Sequence, residues 1–145
     1  MRLKEIMTSH VECLKPDDTL SHSAERMRDL NVGSLTVCGQ DDRLAGIITD
    51  RDITVRSTAA CCDPENTRVA DVMTSEISFC FENDNIANAA VSLMEEKQIR
   101  RLAVLNRDKR LVGVVSLGDL AVRANDCNLS GEVLKQVSEP AAPIR

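Results

Sequence analysis

Two seven-residue segments decide the fold: Gly46–Asp52 (GIITDRD) and Gly113–Asp119 (GVVSLGD). Each contains a glycine, two β-branched residues, a hydroxyl residue and, three positions after the hydroxyl, an aspartate. β-Branched residues favour strands. A serine or threonine followed three residues later by an acid is typical of a capping box, which begins a helix. Each segment therefore predicts a strand that runs directly into a helix.

The rest of the chain is duplicated in the same way. Met7–Val11 is echoed 66 residues later by Met73–Ile77, and Val32–Val37 is echoed 67 residues later by Ile99–Val104. The shift of 67 also relates the two segments quoted above. One inserted residue near the first helix of the second repeat explains the change from 66 to 67. Three matches in the same order indicate an internal duplication.

Each repeat has the pattern strand, helix, strand, strand, helix. In the first repeat the elements are expected at Val11–Leu14, Leu20–Leu30, Ser34–Cys38, Leu44–Ile48 and Thr49–Ser57. In the second they are expected at Ile77–Phe81, Ile86–Lys97, Leu102–Leu105, Leu111–Val115 and Leu117–Ala124. Three strands are too few to bury both faces of a sheet alone, so the two copies are expected to pack sheet against sheet in an α+β (α/β-like) fold.

The predicted organisation has four parts. Residues 5–57 form the first repeat, 58–67 a linker with Pro64, 68–125 the second repeat and 126–145 a polar tail. A short helix capped by Ser130 is expected within the tail, ending at Val137.

The composition of the chain indicates which partners and which cellular compartment to expect. The chain has 145 residues, 43% of them hydrophobic, a net charge of −5 and two aromatic residues, both phenylalanine. The acidic balance argues against nucleic acid and anionic membranes as partners. The absence of a long apolar segment favours the cytoplasm. The six cysteines include no CxxC pair, and thiols are expected in a reducing compartment. A disulfide between Cys13 and Cys38, on neighbouring predicted strands of one repeat, remains open.

The two seven-residue segments have two interpretations. In the simpler one, the hydroxyl and the carboxylate only cap a helix. In the other, the helix start and the hydroxyl bind a phosphate, and the carboxylate one turn later accepts hydrogen bonds from the two hydroxyls of a ribose. The glycine marks a place where backbone or ligand approaches the strand closely.

The Met-Thr opening, the middle strand and the glycine-to-aspartate segment, each present twice in register, resemble a tandem pair of CBS (cystathionine β-synthase-type) domains, also called a Bateman module. The resemblance covers residues 5–125. It implies two β-α-β-β-α repeats packed with pseudo-twofold symmetry, with two clefts between them. It also implies a regulatory homodimer that binds AMP, ADP, ATP or S-adenosylmethionine and requires no other cofactor. Since no enzyme is attached, its effect is expected to pass to a separate protein target.

Carried onto this sequence, the resemblance gives two unequal binding sites. In the first, Ser116 is expected to bind phosphate and Asp119 the ribose, with Arg100 and Arg101 facing the phosphates. The residues expected to complete this site are Thr8, His10, Val11, Val32 and Gly33. The residues expected in the second site are Thr49, Asp52, Thr74, Ile77 and Ile99. The second site lacks counterparts of the two arginines, so it is expected to take fewer phosphates or to remain empty.

Other interpretations compete with this one. The two arginines can equally be solvated residues at a strand edge that cover apolar surface with their stems. An enzyme finds little support, because the sequence has no Walker loop, GxGxxG or HExxH motif. The main alternative is an interaction module without ligand, in which both segments are helix caps and exposed helix faces bind another protein.

Overall fold

The computed structural model describes residues 1–124 and 127–139, apart from the side chains of residues 87–89, 127 and 130. It divides into two compact units. Of the described residues, unit 1 holds 1–10, 78–108 and those from 112 onwards, and unit 2 holds 11–77 and 109–111. The units therefore differ from the sequence repeats. Residues 1–10, which open the first repeat, belong to the unit that contains most of the second repeat, and the opening of the second repeat, up to Ile77, belongs to the unit that contains most of the first.

Seven strands and a set of helices make up the described residues. The strands are β1 (Thr8–Ser9), β2 (Cys13–Leu14), β3 (Ser34–Cys38), β4 (Leu44–Thr49), β5 (Phe79–Phe81), β6 (Arg101–Leu105) and β7 (Leu111–Ser116). The α-helices are α1 (Leu20–Leu30), α2 (Asp50–Asp52), α3 (Val69–Val72), α4 (Ser92–Lys97), α5 (Leu117–Arg123) and α6 (Cys127–Val137). Two π-helices, Ile53–Thr58 after α2 and Ile86–Val91 before α4, and two 3₁₀ turns, Leu3–Glu5 and Gln40–Asp42, complete the set.

Each unit has its own sheet. Unit 2 has three strands in the order β2-β3-β4, with β2 parallel and β4 antiparallel to β3. Unit 1 has four strands in the order β1-β7-β6-β5, with β1 antiparallel to β7 and β5 parallel to β6. The strand β1 comes from the opening of the first repeat, so the sheet of unit 1 joins residues more than 100 positions apart.

Each unit also has its own hydrophobic core. The core of unit 2 consists of Leu14, Leu20, Met27, Leu35, Val37, Ile48, Val69 and Val72. The core of unit 1 includes Leu3, Ile6, Cys80, Ile86, Met94, Leu102, Val104, Val115, Leu120, Val133 and Val137. Both cores are aliphatic, and burial of such side chains is the main stabilising contribution to folding. Among the described residues, no helix is long and apolar enough to cross a membrane.

The predicted α+β fold is confirmed, and several elements lie where the sequence places them. Helix α1 occupies Leu20–Leu30, and Asn31 ends it in the left-handed conformation at φ 54°, which asparagine tolerates well. Helical spacing predicts that Leu20, Ala24, Met27 and Leu30 form the buried face of α1. The buried residues are instead Leu20, Ser23 and Met27, whereas Ala24 and Leu30 are exposed.

Other boundaries in the structure correct the sequence predictions. Strand β2 is shorter than expected because it begins at Cys13, and β5 begins at Phe79. The tail helix α6 begins at Cys127, so Ser130 lies inside it and is not its N-cap. The reason is the apolar face of α6, where Leu129 packs against the core that contains Val133 and Val137. The remainder of the predicted tail, residues 126 and 140–145, lies outside the described residues.

Candidate functional site

Two strand-to-helix corners carry the predicted site residues, and each lies within one unit. In unit 2, β4 runs into α2 at Thr49. The Thr49 hydroxyl accepts from the Asp52 amide at 3.0 Å, and Asp52 Oδ2 accepts from the Thr49 amide at 3.0 Å. These two bonds form a capping box, which satisfies donors that the helix start would otherwise leave free.

The corner of unit 1 is built in the same way. Strand β7 runs into α5 at Ser116, whose hydroxyl oxygen accepts from the Asp119 amide at 3.1 Å. Asp119 Oδ2 accepts from the Ser116 amide at 2.8 Å and from the Ser116 hydroxyl at 2.9 Å. Helix capping is therefore confirmed at both corners. Ligand binding at Ser116 would require its hydroxyl to turn away from Asp119.

The glycine that begins each segment lies under the opening of a repeat. In unit 1, Thr8 and Ser9 pair with Val114 and Gly113. A Cβ atom added to Gly113 would lie 2.6 Å from Met7 Sδ and 2.8 Å from the Thr8 carbonyl oxygen. Any side chain at this position would displace the opening segment, because such contacts are shorter than real Cβ atoms make. The predicted close approach at the glycine is confirmed, and it is made by the Met7 side chain and the Thr8 backbone.

Unit 2 has the same arrangement around Gly46. The amide of Thr74 donates to the Ile47 carbonyl at 2.8 Å, and the amide of Ile47 donates to the Thr74 carbonyl at 3.0 Å. A Cβ on Gly46 would lie 2.6 Å from Met73 Sδ and 2.9 Å from the Thr74 carbonyl oxygen. The Met-Thr openings are thus structural partners of the corners.

Two arginines that the sequence analysis missed join each opening to its corner. Arg123 Nη1 donates to the carbonyls of Ile6 at 3.0 Å and Met7 at 3.2 Å, and Arg123 Nε lies 3.8 Å from Asp119 Oδ1. A signal was present in the sequence, because the residue four positions after each capping aspartate is an arginine in both repeats.

Arg56 has the corresponding role in unit 2. Its Nη1 donates to the Val72 carbonyl at 2.9 Å, to the Met73 carbonyl at 3.2 Å and to the Thr74 hydroxyl at 3.2 Å. The same atom lies 3.7 Å from Asp52 Oδ1. In both units the arginine therefore contacts the opening segment by hydrogen bonds and the aspartate by charge alone.

The residues before the middle strands also contact the corners. The Arg100 carbonyl accepts from the Leu117 amide at 2.8 Å, and the Gly33 carbonyl accepts from the Asp50 amide at 2.9 Å. These bonds hold the residues before β6 and β3 against the first turn of the following helix. Backbone contacts therefore bring Arg100 to the Ser116 corner and Gly33 to the Thr49 corner.

The two corners differ in the charged side chains beside them. Arg100 and Arg101 are exposed in unit 1, and the Arg100 guanidinium donates to the Ser138 hydroxyl at 3.5 Å, a long contact after helix α6. In unit 2 a Cβ on Gly33 would lie 3.1 Å from Asp50 Oδ2. The unit 1 corner thus has Arg100 against it through the backbone and Arg101 next in sequence, whereas the first turn of the unit 2 corner carries both the carboxylate of Asp50 and the cation Arg51.

The predicted site residues are divided between the units. Unit 1 holds Thr8, His10, Ile99, Arg100, Arg101, Ser116 and Asp119. Unit 2 holds Val11, Val32, Gly33, Thr49, Asp52, Thr74 and Ile77. In the first set the structure brings Ser116, Asp119 and the Arg100 backbone together. In the second set the structure brings Thr49 and Asp52 together. The Gly33 carbonyl contacts the Asp50 amide, and Thr74 pairs with β4, the strand that ends at Thr49.

No cluster of metal ligands accompanies these corners. Within residues 1–124 and 127–139, no group of three or more His, Cys, Asp or Glu side chains could hold a metal ion. His10, a predicted site residue, is exposed and adopts a left-handed backbone at φ 54° directly after β1. This conformation turns the chain out of the sheet of unit 1 and is uncommon for a residue other than glycine.

The capped strand-to-helix corner of unit 2 recurs 67 residues later in unit 1. Two α+β units related in this way define a module of paired repeats. The CBS domain family model matches residues 3–57 and 69–125. The chain therefore belongs to the CBS-domain family, as its motifs predict.

Known proteins of this family are similar over most of the chain. Hypoxic response protein 1 of Mycobacterium tuberculosis is 37% identical over 118 residues, 81% of each chain. The CBS domain-containing protein YhcV of Bacillus subtilis is 38% identical over 136 residues, 94% of each chain. The crystal structure of hypoxic response protein I with two coordinated zinc ions has a TM-score of 0.78 at 36% identity, covering 85% of this chain and 98% of that one.

Structural neighbours include proteins in complex with AMP. The CBS domain protein PAE2072 of Pyrobaculum aerophilum, complexed with AMP, has a TM-score of 0.76 and covers 93% of this chain and 99% of that one. Its sequence is 23% identical to this chain, so the likeness shows the shared fold alone.

Proposed function

We propose that this chain is a regulatory module that binds an adenine nucleotide at the Gly113–Asp119 corner and acts on a separate protein target. In this proposal Asp119 binds the ribose hydroxyls, Ser116 a phosphate oxygen, and Arg100 and Arg101 the remaining phosphate charge. We also propose that residues 5–57 and 68–125 are the two repeats, joined by the linker 58–67. The protein is proposed to be a cytoplasmic homodimer that catalyses no reaction.

One observation carries the proposal. Asp119 Oδ2 is occupied by the two Ser116 donors, whereas Oδ1 receives no hydrogen bond among the described residues and has only the Arg123 guanidinium at 3.8 Å. A half-buried carboxylate oxygen with free acceptor capacity suits ribose hydroxyls. Arginine pairs well with phosphate because its guanidinium presents several donors in a fixed plane.

The unit 2 corner supports an unequal pair of sites. Asp52 Oδ1 has the same free capacity, but Gly33 and Ser34 bring no cation, and in the first turn Asp50 adds a carboxylate beside the cation Arg51. A nucleotide with fewer phosphates, or no ligand, suits this corner better than ATP. The places of Val11, Val32, Gly33, Thr74, Ile77 and Ile99 around a ligand remain predictions from the family resemblance.

A second candidate function is an interaction module without ligand. It is favoured by the capping boxes, which are complete without a nucleotide, and by the exposed apolar side chain of Val122 on α5, with 79% of its surface accessible. In that case the corners are structural, and the helix faces bind the partner.

Calorimetry with the full chain separates the two functions. The titrants are AMP, ADP, ATP and S-adenosylmethionine, with Asp119→Ala and Asp52→Ala as a matched pair of variants. The proposal predicts binding of an adenine nucleotide, its loss in Asp119→Ala, and a smaller change in Asp52→Ala. Because the chain has no Trp or Tyr, a copurified nucleotide would also dominate the absorbance near 260 nm. Absence of binding by all four compounds would favour the interaction module, and turnover of ATP would contradict a non-catalytic role.

A further inference from the structure

A pair of cysteine thiols lies in the sheet of unit 2, away from the Thr49 corner. Strand β2 is parallel to β3, and Cys13 is opposite Thr36. Cys38 lies two residues beyond Thr36, and side chains two residues apart in a strand point to the same face. The Sγ atoms of Cys13 and Cys38 are 2.8 Å apart. A disulfide bond of about 2.0 Å would therefore need only a small movement of the two side chains.

The surroundings make the two thiols different. Cys38 is 4% exposed, whereas Cys13 is partly exposed and also lies 3.4 Å from the hydroxyl of buried Thr36. The hydrogen bond from Cys38, together with the Thr36 hydroxyl, lowers the pKa of Cys13 to about 7, although burial and the Asp42 carboxylate oppose this. The pKa of Cys38 is raised by its hydrogen bond with Cys13 and by burial. Cys13 is therefore the better nucleophile, because thiolates rather than thiols react.

The pair occurs in only one of the two repeats. At the corresponding places unit 1 has Phe79, opposite Ala103 on β6, and Leu105 at the end of the same strand. Cys80, one residue further along β5, is buried at 2% exposure, and burial raises its pKa to about 11. Cys80 therefore serves as an internal control. It is a buried thiol in the sheet of unit 1, where Phe79 and Leu105 take the places of the two paired cysteines.

We propose that Cys13 and Cys38 form a reversible redox site, which a small hydroperoxide such as hydrogen peroxide oxidises to an intramolecular disulfide. The proposal is independent of nucleotide binding, because none of its residues belongs to either corner.

The reaction has two balanced steps. The Cys13 thiolate attacks one peroxide oxygen, an S–O bond forms, the O–O bond breaks, and hydroxide leaves, which gives the Cys13 sulfenic acid. Cys38 then attacks the Cys13 sulfur, an S–S bond forms, the S–O bond breaks, and water leaves with the Cys38 proton. The hydroxide takes up one proton. Overall, two thiols and one hydrogen peroxide give one disulfide and two water molecules, and a dithiol reverses the oxidation by exchange.

The disulfide would connect β2 to β3 and close a loop that contains the whole of α1. Closing such a loop restricts the unfolded chain and stabilises the native state. The oxidised protein is therefore expected to melt several degrees above the reduced protein, and about millimolar dithiothreitol is expected to remove this shift.

The test treats the full reduced chain with increasing hydrogen peroxide, then blocks free thiols and maps peptides by mass spectrometry. The expected result is a cross-linked peptide pair containing Cys13 and Cys38, with a loss of two hydrogen atoms, formed at least about tenfold faster than Cys80 is modified. Reduction restores both thiols. In Cys38→Ala, Cys13 is expected to stop at the sulfenic acid and to react with dimedone, whereas Cys80→Ala is expected to form the disulfide as the natural chain does.

Two results would overturn the proposal. One is equal alkylation of Cys13, Cys38 and Cys80 over the whole peroxide range. The other is a disulfide that joins different cysteines, such as the adjacent Cys61 and Cys62, while Cys13 and Cys38 remain thiols. Both are read from the natural chain, so they do not depend on whether a variant folds.

Discussion

The Gly46–Asp52 corner of unit 2 and the Gly113–Asp119 corner of unit 1 share the two hydrogen bonds of a capping box and differ in the charged residues beside them. Each has a capping box, a glycine under a Met-Thr opening and an arginine four residues after the aspartate. Only the unit 1 corner has Arg100 and Arg101 beside it. The shared features explain folding, because they satisfy backbone groups without a ligand. The difference in charge is expected to make the two corners bind nucleotide unequally.

The largest expected effect is a loss of stability when the glycine that packs against each Met-Thr opening is replaced. Gly113→Val and Gly46→Val each place a side chain against a methionine sulfur and a backbone carbonyl. We expect each to lower the free energy of unfolding by about 3 kcal/mol, the upper part of the range for overpacking. Urea unfolding measures this. Gly118→Ala is the control, since a Cβ there approaches only the Ser116 hydroxyl, at 3.5 Å. Equal stability of Gly113→Val and the natural chain would contradict the described approach of the opening.

The next effect concerns the charge difference. The double variant Arg100→Gly, Arg101→Ser gives the unit 1 corner the residues that unit 2 has at these positions. We expect it to weaken ATP binding by about 10- to 100-fold, as loss of charged hydrogen bonds does. AMP should weaken less, because it carries fewer phosphate charges. The control, Lys97→Ser with Arg107→Gly, removes two exposed cations elsewhere in unit 1. An equal loss in the control would show that net charge, and not the corner, governs affinity.

A third comparison sets the thiol pair of unit 2 against the apolar pair of unit 1. Alkylation of Cys13 as a function of pH should have its midpoint near pH 7, because Cys38 stabilises the thiolate. In Cys38→Ala the midpoint should rise towards that of an ordinary thiol, about 8.5. The sign follows from the hydrogen bond, since removing a donor to a thiolate disfavours the charged form. Unchanged midpoints would mean that Cys38 has no influence on Cys13.

The smallest effect concerns the two arginines that bind the openings. Arg56→Ala and Arg123→Ala should each lower the free energy of unfolding by about 1 kcal/mol, through lost hydrogen bonds to the carbonyls. A double-mutant cycle of Arg123 with Asp119 should give a coupling below about 0.5 kcal/mol, because the pair is 3.8 Å apart and the arginine is half-exposed. A coupling well above this would mean that Asp119 acts mainly as a partner of Arg123.

Sequence reasoning predicted the local elements of the fold well. The bounds of α1 and β3 agree with prediction because helix periodicity, the Thr19 cap and the β-branched residues of β3 all act over short distances. The π-helices after α2 and before α4 were missed, since their backbone depends on packing and not on a local pattern. Strand β1 was missed because two residues carry no periodicity, and it exists only beside β7.

For the candidate site, sequence reasoning found the residues of each corner but not their connections. Ser116 with Asp119 and Thr49 with Asp52 follow from a spacing of three. The contacts of Arg56 and Arg123 do not, because their carbonyl partners lie in the opening of the other repeat, up to 117 positions away. The assignment of each opening to a unit is a property of chain topology that local sequence does not contain.

The central claim is that the two corners bind nucleotide unequally, and an NMR titration tests it most directly. The amides of Leu117, Gly118 and Asp119 report on one corner, and those of Asp50, Arg51 and Asp52 on the other. When AMP is added to the full ¹⁵N-labelled chain, we expect the first set to shift at lower AMP concentration and by a larger amount than the second. Shifts confined to Asp50–Asp52, or no shift at either corner at saturating AMP, would contradict the account.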